Sequence, residues 1–339
     1  MIRPLCLALT LLTATPALAK FTCPAPPDPI ISLSYGSRYS ANDSTHSDID
    51  PAADTEATDA LKPIDSFLRD LTSMANDVFE KNAKKAEIAD CVVSRIVAWA
   101  GADALTDLQT DTAKLTIGSR IAGFGLVLLQ VAPYTTQAAD LVTIKIWYAG
   151  LMDTEMQFWE EDAPTGSRQG NLRAWTALAA AAGGQLLGDP VMRGWSAWSV
   201  RYMLCKAATD GSLPQEMTRG RLALHYQLHA IAPLVAATLL LDRQGIPLKD
   251  ACDQALDRIV TFATDDLATG AATLAITGEP QSLFDGSDTL QNFDLAFLEP
   301  YFQLTPKARK GPLGDLAKRY APLNYSKLGG KQALIWKTN

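Results

Sequence analysis

The residues best equipped for chemistry are Arg219 and Tyr226, in the stretch Arg219-Gly-Arg-Leu-Ala-Leu-His-Tyr226. A guanidinium is a permanent cation that can hold a carboxylate through two parallel N–H bonds, and a phenol can take up or release a proton. Seven residues of α-helix turn through about 700° and rise roughly 10 Å, so the spacing predicts both side chains on one face. The run continues Gln-Leu-His229-Ala-Ile-Ala-Pro-Leu, an apolar helix long enough to carry the pair. A cation and a phenol on one face point to chemistry on an acidic substrate. His225 adjoins the phenol and His229 stands three residues past it; His229 is either a second donor or base in the same groove or, like His225, a hydrogen-bonded histidine of the helix bundle.

The charge distribution supports an anionic partner. Between Arg168 and Tyr226 seven basic residues (Arg168, Arg173, Arg193, Arg201, Lys206, Arg219, Arg221) face three acidic ones (Asp189, Asp210, Glu216). A segment of net charge +4 inside an acidic chain predicts a local site for a polyanion. The chain as a whole carries 30 basic and 37 acidic residues, which argues against a general nucleic-acid binder.

The first nineteen residues read as a targeting segment: Arg3 is the positive head, Leu5 to Leu12 the apolar stretch, and Ala17-Leu-Ala19 the small-residue cleavage site. The apolar stretch is too short to span a bilayer, and no later stretch is expected to do so. The expected product is a soluble periplasmic or secreted chain beginning at Lys20. In an oxidising compartment Cys23, Cys91, Cys205 and Cys252 permit disulfides in three connectivities. Cys23–Cys91 is preferred, because it tethers the extended Pro-rich segment from Phe21 to Ile31. Three histidines and these cysteine spacings do not form a zinc pattern, and no metal or other cofactor is expected.

The elements that must position Arg219 and Tyr226 are helical. Apolar residues recur at helical spacing over Asp54 to Lys81, Lys84 to Trp99, Thr106 to Ala132, Thr136 to Trp159 and Asn171 to Leu187. The same holds for Pro190 to Ala207, Thr218 to Gln244 and Leu248 to Asp265. Turn residues fill about 36–53, a lid-like loop, and again Gly278 to Asp294. The one strand expectation is terminal, at Gly329 to Trp336. Successive helices with short links predict an all-α, single-domain (α/α) toroid, an incomplete barrel of antiparallel helix hairpins over 20–339.

Several motifs, in order along the chain, give this sequence a family resemblance. Arg219 to Leu234 is similar to the catalytic helix of the family 5 polysaccharide lyases, the alginate lyases. Cys23-Pro-Ala-Pro-Pro with Ser37-Arg38-Tyr39 resembles their N-terminal region and lid. Asp90-Cys91 with Ala98-Trp99-Ala-Gly-Ala-Asp-Ala-Leu resembles an early helix, and Leu298-Glu-Pro-Tyr301 and Lys327-Leu-Gly-Gly330 resemble the C-terminal motifs. The family carries Asn-Asn-His-x-x-Trp at a helix start, where this chain has Gly170-Asn171-Leu172-Arg173-Ala174-Trp175. The resemblance therefore carries over Asn171, Arg219 and Tyr226 as catalytic residues, and leaves Leu172 where the family has a histidine.

What the resemblance implies is cleavage of a polyuronate by β-elimination. The C5 proton leaves, negative charge gathers on the C6 carboxylate, and the C4–O bond breaks. Arg219 and Asn171 would neutralise the carboxylate. In β-mannuronate or β-glucuronate the proton and the leaving oxygen lie on the same side of the ring, so Tyr226 could serve as base and then acid, provided cations bring its pKa down from about 10. Arg173 is expected to make up for the missing histidine; Trp175, Arg38, Tyr39 and His229 are expected to bind substrate, and core packing is the ordinary role for Trp195 and Trp198. The expected partner is an acidic polysaccharide, either alginate-like polymannuronate or a glucuronate-containing exopolysaccharide, with exopolysaccharide synthesis or export machinery as a further candidate. Loss of the motif histidine leaves open a non-catalytic binding or export-associated protein on the same fold. A glycoside hydrolase would need two carboxylates flanking the bond, and none of Asp189, Asp210 or Glu216 sits in a suggestive motif.

Overall fold

The computed structural model describes residues 22–337; the leader proposed for 1–19 lies outside them. The helices are α1 (Pro51–Asn76), α2 (Lys85–Ala100), α3 (Asp111–Val131), α4 (Ala138–Glu161), α5 (Asn171–Leu187), α6 (Pro190–Leu204) and α7 (Pro214–Met217), then α8 (Ala223–Arg243), α9 (Ala251–Asp266), α10 (Ala271–Thr277), α11 (Ser282–Asp285), α12 (Leu298–Leu304), α13 (Pro312–Arg319) and α14 (Gln332–Ile335). Helices α1, α3, α5, α8 and α12 pack in succession, α1 on α3, α3 on α5, α5 on α8 and α8 on α12. Each also packs against the helix that follows it in a hairpin: α2, α4, α6, α9 and α13 respectively. The result is the expected (α/α) toroid, an inner row backed by outer helices.

Sequence explains which helices lie inside. α5 is almost entirely small and apolar, and Ala177 to Ala182 are buried without exception. Small residues let neighbours come close: a Cβ at Gly118 of α3 would collide with Thr176 of α5, and one at Gly183 with Tyr148 of α4. Contrary to expectation, α3 and the Gly220–Arg243 segment are long and apolar enough to cross a membrane, with mean hydropathy 1.3 and 1.4. They are nonetheless core helices, since 72% and 83% of those windows are buried against their neighbours.

Local rules shift several boundaries. Asp50 caps α1, accepting from the Ala52 and Ala53 amides at 2.9 and 3.1 Å, and Pro51 occupies the first turn where its missing N–H is not needed. The helix therefore starts three residues early and the loop ends at Asp50. That loop is ordered by its own bonds. Tyr39 and Ile49 form an antiparallel bridge, and the Asp43 carboxylate accepts from the amides of Thr45, Ser47 and Asp48. The terminal strand expected over Gly329 to Trp336 is corrected. Asn324–Tyr325 (β3) pairs antiparallel with Gly330–Lys331 (β4), and residues from Gln332 turn into α14. Gly329 and Gly330, both at positive φ, make the tight reversal, and strand-forming residues after it are spent packing Trp336 into the core. A second short ladder, parallel, joins Ser32–Leu33 (β1) to Asp107–Leu108 (β2).

The expected Cys23–Cys91 bond is present, with Cα atoms 5.5 Å apart, and it pins the N-terminal segment to α2. Cys205–Cys252 joins the end of α6 to the start of α9.

Candidate active site

The N-terminal turns of α3, α5 and α8 converge, beside α1, on one cleft of about 570 Å³. Ala57 and Leu61 come from α1, Thr112, Thr116 and Arg120 from α3, Asn171, Leu172 and Trp175 from α5, and His225, Tyr226 and His229 from α8. Helix N-termini carry partial positive charge, so this convergence favours an anion before any side chain is counted. The lining adds five cations, Arg38, Arg120, Arg219, Arg221 and Lys327, against the single carboxylate of Asp288. Three of these cations are paired and so fixed in the wall: Arg120 is held bidentate by Asp65 at 2.9 and 2.8 Å, Arg38 by Asp54 at 3.0 Å, and Arg221 lies 3.9 Å from Asp285.

Arg219 and Tyr226 meet here, but not by helical register. The chain turns through Pro214–Met217 and a short 3₁₀ segment, Gly220–Leu222, with Gly220 at φ +51°, and α8 begins only at Ala223. Arg219 thus stands ahead of α8 rather than in it, and its guanidinium lies 3.9 Å from the centre of the Tyr226 ring. The same guanidinium donates to the His46 carbonyl of the loop from Nε at 3.2 Å and Nη2 at 2.7 Å, and lies 4.9 Å from the Tyr39 ring. The Tyr39 and Tyr226 hydroxyls are hydrogen-bonded to each other. Burial keeps the Tyr39 phenol above its ordinary range despite the opposing pull of Arg219 and Arg38. The loop thus closes over the pair and contributes a hydroxyl to it.

Asn171 also lines the cleft, and its surroundings contain a residue that sequence reasoning passed over. The Glu216 carboxylate accepts from the Asn171 backbone N–H at 2.7 Å and from its Nδ2 at 2.9 Å. Gly170 offers no side-chain cap to α5, so Glu216 caps it from across the fold. One amide hydrogen of Asn171 is committed to this bond. Glu216 is fully buried, and burial raises its pKa to about 7 against the lowering effect of the Asn171 bonds and Arg219. The signal was its place three residues before Arg219.

Arg173 requires correction. Expected at the cleft beside Asn171, it is buried on the opposite face of α5. Its guanidinium bonds to Glu160 at 2.5 Å and to Ser199 at 3.1 Å and lies 4.6 Å from the Trp198 ring. Two residues on a helix are about 200° apart, so Asn171 and Arg173 cannot share a wall. Trp198, expected in the core, is half exposed and stacks on Tyr202, and Trp195 donates to Glu160 at 2.8 Å. Trp175 reaches the cleft but is no sugar platform: it is buried, and its Nε1 donates to His229 Nε2 at 2.9 Å. His225 pairs through Nδ1 with Asp288 at 2.9 Å. Lys327, from the C-terminal motif, completes the wall; burial first, and Arg120 next, bring its pKa down to about 7.

Fold and site together define an all-α toroid whose cleft gathers cations around a hydrogen-bonded phenol. The comparisons agree. The alginate lyase family model matches residues 119–273. A polysaccharide lyase of Stenotrophomonas maltophilia is 26% identical over 340 residues, covering 98% of this chain and 96% of the relative. An alginate lyase of Pseudomonas syringae pv. tomato is 24% identical over 324 residues, covering 89% and 84%. The chain is thus a homologue of polysaccharide lyases over nearly its full length. Among solved structures, a variant of alginate lyase A1-III complexed with a tetrasaccharide superposes with TM-score 0.78 at 21% identity, over 95% of this chain and 89% of that one. Alginate lyase A1-III from Sphingomonas species A1 gives 0.74 at 19%, over 92% and 86%. The toroid is the same fold.

Proposed function

We propose that this protein is a polyuronate lyase that cleaves an acidic polysaccharide by syn β-elimination, with Tyr226 as both base and acid. The observation that carries the reading is the Arg219 guanidinium lying over the Tyr226 ring inside a cationic cleft. A cation on the ring face stabilises the phenolate of Tyr226, the form that takes the C5 proton and becomes the neutral phenol. Arg219, Lys327 and the converging helix N-termini would stabilise charge on the C6 carboxylate as the proton leaves. The same tyrosine then returns the proton to the C4 oxygen as that bond breaks, so the proton is conserved through the step. Tyr39, bonded to Tyr226 and attached to the loop, would close the cleft over polymer and exclude water. Substrates of this class are alginate-like polymannuronate and glucuronate-containing exopolysaccharide, and the two disulfides suit a periplasmic or secreted setting.

The test is direct. Incubated with polymannuronate, polyguluronate and glucuronan, the protein should yield an unsaturated product that absorbs in the near ultraviolet. New reducing ends without that absorbance would mean a hydrolase. The apolar Leu172 in the cleft wall favours a second reading, a polysaccharide-binding protein on the same fold, which would bind polymer and release no product.

A further inference from the structure

We propose that His229 is a neutral hydrogen-bond donor to the substrate carboxylate, its proton held on Nδ1 by Trp175; this rests on the lyase reading above. An indole N–H can only donate. Trp175 Nε1 lies 2.9 Å from His229 Nε2, so Nε2 must be the accepting, unprotonated nitrogen, and the proton of a neutral ring sits on Nδ1. Trp175 is itself fixed. It is 1% exposed, and its ring packs edge-on against Tyr325 with centroids 5.7 Å apart. The histidine ring is held in turn, 5.3 Å from Trp175 and 6.2 Å from Tyr226.

His229 lines the same cleft as Tyr226, Asn171 and Arg219, and among the described residues no protein group accepts from its Nδ1. That leaves the Nδ1–H for a ligand. The neighbouring wall supplies little else of the kind: Leu172 is apolar, Arg173 is turned to Glu160, and Asn171 is partly committed to Glu216. A second proton on the ring would break the Trp175 bond. Burial first, and then the charges of Lys327, His225, Arg120 and Arg219, also oppose it. His229 therefore cannot act as a general base while Trp175 holds it. It is a preorganised donor, and such a donor contributes most when charge develops on the oxygen it faces.

Two substitutions separate the nitrogens. In His229→Gln the side-chain oxygen can still accept from Trp175, but the Nδ1 donor is gone. In His229→Asn a donor remains near the Nδ1 position while the acceptor for Trp175 is lost. The expected result is that H229Q melts close to the wild type and loses about a hundredfold in kcat with KM little changed. H229N should melt lower and keep more kcat than H229Q. If H229Q retains full kcat, or if H229N is the less active of the two, the proposal is overturned.

A readout that does not require turnover is the ¹⁵N-imidazole spectrum of the intact protein. A neutral Nδ1–H tautomer whose proton resonance shifts on adding a mannuronate oligomer supports the proposal even if no polymer is cleaved, in which case the lyase reading alone fails. An Nε2–H tautomer, or a resonance unmoved by saturating oligomer, overturns it.

Discussion

Glu216→Gln tests the cap of α5 with a magnitude the structure supplies. The Glu216 carboxyl titrates at about 7 in the folded protein, against 4.5 ordinarily, because burial disfavours its charge. Below pH 4.5 the group is neutral in both folded and unfolded chains and makes no difference to stability. Between 4.5 and 7 the unfolded chain ionises while the folded one resists, so stability falls as pH rises. Above 7 the loss is complete, and a shift of this size corresponds to about 3 kcal/mol. The glutamine carries no such term. Its oxygen can still accept the Asn171 backbone N–H, and its amide can donate to Asn171 Oδ1, which has no partner among the described residues. The variant should therefore be close to the wild type in stability at pH 4.5 and more stable at pH 8, with the difference growing by about 3 kcal/mol over that interval. Urea denaturation of both proteins at intervals from pH 4.5 to 8.5 measures it. If the two stabilities keep a constant difference across the range, Glu216 titrates normally and the account of its burial is wrong.

Other outcomes follow from the same geometry. Tyr226→Phe removes the only atom proposed to move the proton; product formation should fall by at least a thousandfold, with binding of mannuronate oligomers by calorimetry nearly unchanged, and a variant with substantial turnover would eliminate Tyr226 as base. Lys327, titrating at about 7, is part-neutral at mild alkaline pH, so polyuronate binding at pH 8 should take up protons, and Lys327→Met should abolish that uptake; calorimetry in buffers of different ionisation enthalpy reads it. Glu155 lies buried in α4 with neither carboxyl oxygen hydrogen-bonded among the described residues, and burial raises its pKa to about 8. Its ionisation therefore costs stability as pH climbs from 4.5 to 8, and Glu155→Gln should remove up to about 5 kcal/mol of that loss, visible as a smaller drop in melting temperature between pH 5 and 9.

The sequence by itself determined the toroid. Helical periodicity is local, repeated in every segment from α1 to α9, and short links leave consecutive helices little choice but to pack as hairpins. It also named Asn171, Arg219, Tyr226, Tyr39 and His229, all of which line one cleft. Tertiary structure decided how they meet. Helical spacing runs from Thr218 to Gln244, but Gly220 at positive φ breaks the register ahead of α8, and the Arg219 guanidinium comes to lie over the Tyr226 ring. Arg173 shows the converse: a cation two residues from Asn171 looked like its partner, and the helix sends it to Glu160 and Ser199. Glu216, Lys327 and Arg120 entered the site from segments 45 to 156 residues distant from Asn171, or through burial alone, and burial depends on packing across the whole ring. Periodicity fixes which residues face inward; only the closed arrangement of helices decides which inward faces share a cleft and which ionisable groups lose their water there.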